Sequence, residues 1–145
     1  MMSSDQSGMT HTFVTFRVAG AALEPEAVTN VLKVSPTHAY RKGETYKPGR
    51  SGNPITARTG VWYFSTDHLS ESPALGEHLT YVRKFLDDQR TYELHELLRG
   101  EHLTATLTCF WHGGHNATPP SVPGDIKDLL GKLPATIETD FATDE

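Results

Sequence analysis

The stretch Leu103-Thr104-Ala105-Thr106-Leu107-Thr108-Cys109-Phe110-Trp111 decides the fold. Its period-two alternation puts Leu103, Ala105, Leu107, Cys109 and Trp111 on one face of a strand. Thr104, Thr106, Thr108 and Phe110 fall on the other. The apolar face needs a cover, whereas threonine suits a pleated surface that stays half exposed. Such a strand belongs in a sheet whose helices lie on one side only.

The neighbouring segments supply the rest of the sheet and its cover. Thr12 to Val18 alternates in the same way, with Val14, Phe16 and Val18 inward and Thr15 and Arg17 outward. Pro25 suits the first turn of a helix, and Val28, Val31 and Leu32 give it one apolar stripe until Ser35-Pro36 stops it. His38 to Lys42 reads as a short strand, and Val61-Trp62-Tyr63-Phe64 as a covered, central one. Ser72-Pro73 signals a helix start, followed by the stripe Leu75, Leu79, Val82, Phe85 and Leu86. Leu94, Leu97 and Leu98 continue it, with Gly100 placed to cap the end. One kinked helix and two helices are both open, because Asp87 to Thr91 fits a solvent face or a junction. Ile126, Leu129, Leu130 and Leu133 give a last helix, and Ala135 to Phe141 a closing strand with Ile137 and Phe141 inward. The order is β-α-β-β-α-β-α-β. The expectation is an α+β two-layer sandwich of split β-α-β type, with helices on one face of a mostly antiparallel sheet.

The 145 residues suit one domain, expected over 12–142, with a mobile tail at 1–11 and a frayed acidic end at 143–145. At 37% hydrophobic and 21% charged residues the composition is that of a folded chain, not a disordered one. The single cysteine excludes an internal disulfide. No apolar run reaches the roughly 18 residues of a membrane span, and Met1 to Thr10 has no signal-peptide core. These features give the expectation of a cytoplasmic protein.

Several short motifs add a resemblance. They are Phe16-Arg17-Val18-Ala19-Gly20 with Leu23-Glu24-Pro25-Glu26, Leu32-Lys33-Val34-Ser35-Pro36-Thr37 with the Lys42-Gly43-Glu44 turn, Trp62, and Ile137-Glu138-Thr139-Asp140-Phe141. In these the chain resembles the bacterial family called domain of unknown function (DUF) 4279, over most of residues 12–142. The resemblance implies a small bacterial cytosolic α+β domain and assigns no catalytic residue or cofactor.

Two constellations carry chemistry. Cys109-x-x-His112-x-x-His115 has the ligand types of zinc. On a continuous strand Cys109 and His112 face opposite sides, so only a bend at Gly113-Gly114 brings them together, and a fourth ligand must come from elsewhere, such as His102 or His38. The plainer alternative is a buried cysteine and two loop histidines. The second constellation lies in residues 38–58, where His38, Arg41, Lys42, Lys47, Arg50 and Arg58 stand against one acid, Glu44, with Tyr40 and Tyr46 among them. Gly43 to Thr59 has no usable period and reads as a long loop, a segment type that is commonly functional. Arginines beside aromatic rings bind anions or acidic partners, and a solvated loop is the plainer reading of the same charges.

The net charge of −5 is uneven. Residues 1–70 hold seven basic and five acidic side chains, net +2, and residues 71–145 hold six and thirteen, net −7. General nucleic-acid binding draws on accumulated positive charge and is not expected here. Glu93, Glu96 and Glu101, with Asp87 and Asp88, make the long helical region acidic. No phosphate loop, dinucleotide fingerprint or nucleophile elbow is present. The leading expectation is a non-enzymatic binding module for another protein, of immunity or accessory type, with the basic loop or the open sheet face as contact. The competing one is a small enzyme, or a ligand- or metal-binding domain, using His112, His115 and the loop 38–58.

Overall fold

The computed structural model describes residues 11–47 and 52–144. The element order is β1 (His11–Gly20), α1 (Pro25–Leu32), β2 (His38–Tyr40), β3 (Thr45–Tyr46), β4 (Ile55–Thr56), β5 (Gly60–Ser65), α2 (Leu75–Phe85), α3 (Asp88–Glu101), β6 (Thr104–Gly113), α4 (Gly124–Lys132) and β7 (Thr136–Thr143). The main sheet runs β2-β5-β1-β6-β7. All its pairings are antiparallel except β6 with β7, which α4 joins as a parallel crossover. This is the expected α+β sandwich, and its split β-α-β character comes from β5 lying between β2 and β1.

The alternation in β1 and β6 works as the residues dictate. Val14, Phe16 and Val18 meet Leu107, Ala105 and Cys109 on the helix-covered side, and all six are buried. Trp62 on β5 is fully buried, lies edge-on to Phe16 and Phe85, and donates its indole N–H to Thr29 Oγ1 of α1 at 3.0 Å. That bond satisfies the one polar atom its burial would strand. Gly20 and Gly60 are register partners, and a Cβ on Gly60 would stand 2.8 Å from Leu23 Cβ. Only glycine lets the turn after β1 close onto β5 there.

Local chemistry settles the helical region as two helices. Asp87 accepts the Arg90 amide at 2.9 Å as the N-cap of α3, which ends α2 at Phe85. Gly100, expected as a cap, lies inside α3; the left-handed capping position is taken by His102 at φ 56°. The stretch Gly43–Thr59, expected as a loop, contains the small two-stranded ribbon β3–β4, in which Thr45 faces Thr56 and Tyr46 faces Ile55. Two-residue strands are too short to register as a period. The expected strand His38–Lys42 stops at Tyr40, β1 starts at His11 inside the expected tail, and β7 reaches Thr143. The rest of that tail, residues 1–10, lies outside the described residues.

One buried polar cluster locks α2 to the sheet. His78 is fully buried; its Nε2 donates to the Ser72 carbonyl at 2.8 Å, and its Nδ1 accepts the Thr66 hydroxyl at 2.6 Å. Thr66 Oγ1 in turn accepts the Val14 amide at 3.0 Å. Every member is satisfied, so the cluster fixes where α2 begins relative to β1.

Candidate functional site: the uncovered sheet face

The four helices among the described residues contribute to the core on one side of the sheet, and no described helix covers its second face. Strand register orders that face into rows. His11, His112 and Ala142 form the first; Phe13, Phe110 and Asp140 the second; Ser65, Thr15, Thr108 and Glu138 the third. His38, Tyr63, Arg17, Thr106 and Thr136 form the fourth. The face therefore carries Arg17 in its central strand and Glu138 and Asp140 on its β7 edge.

Aromatic pairs stud this surface. Phe13 and Phe110 stack with centroids 4.4 Å apart, His38 stacks on Tyr63 at 5.0 Å, and Tyr46 of the ribbon stacks on Tyr40 at 4.3 Å. Beside the phenylalanines is a shallow cleft of about 430 Å³ that includes His11, His112, Trp111 and Asp140. Each histidine holds a carboxylate: His11 Nε2 lies 2.9 Å from Asp67, and His112 Nε2 lies 2.6 Å from Asp144. At the opposite end the ribbon folds over the sheet and encloses a second cleft of about 400 Å³, lined by Arg17, Tyr40, Tyr46, Ile55, Arg58 and Val61 among others. Burial and the Tyr46 hydroxyl push the Tyr40 phenol up, and the positive charge of Arg17 pulls it back. Burial likewise raises Tyr63, against the hydrogen bonds of Thr15 and Ser65.

The basic-loop residues divide. Tyr40, Tyr46 and Arg58 reach the ribbon cleft, and His38 lies on the same face against Tyr63. Arg41 turns away to α1, where it binds Glu24 at 2.7 Å and Glu26 at 2.6 Å, and its backbone amide donates to Glu44. Its charge is spent within the fold. Lys42 and Lys47 are exposed to solvent, and Arg50 lies outside the described residues. Arg17 and Phe13 were not singled out from the sequence as binding residues. Their parity on β1 marks them as outward-facing, but only the register shows what stands beside them.

The zinc set does not converge. Cys109 faces the core, fully buried opposite Val14, and burial pushes its thiol up to about 11. His112 faces the open side, His115 is exposed in the turn beyond β6, and His102 caps α3 at the far end of that strand. β6 continues straight through His112 to Gly113, so no bend unites the three. Among the described residues no group of three or more His, Cys, Asp or Glu side chains is arranged to hold a metal ion. No helix among them is long and apolar enough to cross a membrane.

No curated protein and no solved structure matches the chain significantly. A family model does, over residues 9–143 and so nearly the whole sequence. The chain belongs to the family described as Domain of unknown function (DUF4279).

Proposed function

We propose that this domain is a non-catalytic binding module that docks another protein on the uncovered face of its sheet. The observation that carries the reading is the Phe13–Phe110 stack, placed on the central strand β1 and its neighbour β6 with no element above it among the described residues. Aromatic and arginine side chains are enriched where proteins meet, and Lys and Glu are depleted there. The centre of this face follows that pattern, with Phe13, Phe110, Tyr63, Arg17 and threonines. Its acidic residues stand on the β7 edge and favour a partner with basic groups at that rim, where charge speeds encounter and sets orientation. Cys109 is buried on the core side and a poor nucleophile behind its raised pKa. The free cysteine suits a reducing compartment, and the role that fits is an immunity or accessory protein in a bacterial cytoplasm.

The test is quantitative affinity capture from the source organism with the wild-type chain, the double variant Phe13→Asp/Phe110→Asp, and Tyr92→Asp on α3 as a control. Melting curves establish that each variant is folded. A protein retained near one-to-one by wild type and Tyr92→Asp, and lost with the double variant, supports the reading. A partner held equally by a folded double variant, or the absence of any stoichiometric partner, overturns it.

A further inference from the structure

Two arginines stand apart by their pairing and their place taken together. Arg41, Arg83 and Arg90 each hold a carboxylate. Arg17, Arg58 and Arg99 have no ion pair among the described residues; of these three, Arg17 and Arg58 line the ribbon cleft, whose lining contains no acidic side chain. In a chain of net charge −5 this is a local concentration of two unneutralised guanidinium groups. Around them stand hydroxyl donors from Tyr40, Tyr46, Thr56 and Thr59, while Ile55, Ala57 and Val61 supply apolar wall.

We propose that the ribbon cleft binds a small phosphorylated molecule, with Arg17 and Arg58 clasping the phosphate and the Tyr46–Ile55 side holding its organic part. The charges match: a phosphate monoester carries about −1.5 to −2 at neutral pH, and guanidinium groups bind its oxygens in a bidentate fork. A single carboxylate would leave one arginine uncompensated. The volume of about 400 Å³ falls within the range of small-molecule sites. Arg17 also belongs to the face proposed above for a protein partner, but it lies four residues along β1 from Phe13, roughly 13 Å at strand rise, so the partner test on Phe13 and Phe110 and the phosphate test on Arg58 touch different residues. Either site can fail without the other.

Phenyl phosphate, inorganic phosphate and benzoate are titrated into the full chain at low ionic strength, following the side-chain Nε–H signals of its arginines. The expected result is a saturable shift of Arg17 and Arg58 with phenyl phosphate and weaker binding of the other two. The affinity falls about tenfold or more in Arg17→Gln and in Arg58→Gln, and is unchanged in Arg99→Gln, an arginine outside the cleft. Arg58 follows a two-residue strand, so its variant keeps the test open if Arg17→Gln disturbs β1. Shifts that never saturate, or that persist in both cleft variants, overturn the site. Benzoate binding as tightly as phenyl phosphate overturns its assignment to phosphate. A phosphotyrosine peptide binding tenfold more tightly than phenyl phosphate overturns the small-molecule occupant.

Discussion

Phe13 of β1 and Phe110 of β6 are register partners whose rings stack within 15° of parallel at 4.4 Å, on the side of the sheet that none of the described helices covers. Each ring shields the other from water, so the pair is tolerable on an open face and still offers a flat apolar platform. Stacked pairs of this kind contribute about 0.5–1.5 kcal/mol beyond their buried area. A double-mutant cycle with Phe13→Ala and Phe110→Ala, read by denaturant unfolding, is expected to return a coupling in that range. A coupling near zero contradicts the stack.

The His78 cluster gives a larger effect. Thr66→Val keeps the shape but leaves the Val14 amide without its acceptor and His78 Nδ1 without its donor. Unsatisfied buried groups cost about 1–3 kcal/mol each. The variant is expected to lose stability on that scale, whereas Thr80→Val, on the exposed side of α2, changes it by less than about 0.5 kcal/mol. Urea midpoints of the two variants check this.

Gly60→Ala drives a methyl group into Leu23 and toward the Gly20 carbonyl. Overpacking of this kind costs about 1–3 kcal/mol. Gly76→Ala, where nothing lies within 4 Å and the residue is helical, is expected to stabilise instead. Opposite signs in thermal unfolding are the diagnostic.

Arg83 of α2 grips Asp125 at the start of α4 through two bonds of 2.8 and 3.1 Å, and the hydrogen-bonded guanidinium holds that carboxyl below its ordinary range. A lowered folded-state pKa gives stability that is present above the unfolded carboxylate value, about 3.9, and is lost as pH falls through the folded one. Asp125 is exposed and Arg83 partly so, so the effect is small and screened by salt. The expected outcome is that Arg83→Gln and wild type differ in stability near pH 7 and converge once the pH has fallen through the lowered Asp125 value. A difference that persists undiminished in acid contradicts the assignment.

Cys109, with its thiol raised to about 11 and no solvent exposure, is expected to resist thiol reagents at pH 8 in the folded chain and to react fully in denaturant. Labelling kinetics that follow added denaturant establish this, and rapid labelling of the native protein contradicts it.

The layers were legible because period-two alternation in Thr12–Val18 and Leu103–Trp111 records which side faces the core. Helices α1 and α4 were legible from their stripes and prolines. The break between α2 and α3 rests on a single capping aspartate, which reads equally as a surface acid, so the residues left it open. The ribbon was invisible because its strands hold two residues each and are fixed by stacking of Tyr46 on Tyr40. The site was half legible for the same reason: Tyr40, Tyr46 and Arg58 stood out by composition. Arg17 depended on a fold that brings it together with Arg58, 41 positions on, and Arg41 proved to be held by α1.

The docking face is tested most directly by the methyl signals of Thr106 and Thr108 on the open side of β6, followed by NMR as the purified partner is added. These methyls are expected to shift in a saturable way, while Leu79, Val82 and Leu94 in the helical layer stay in place. Perturbation confined to α2 and α3, with the threonine methyls unmoved at saturation, would contradict it.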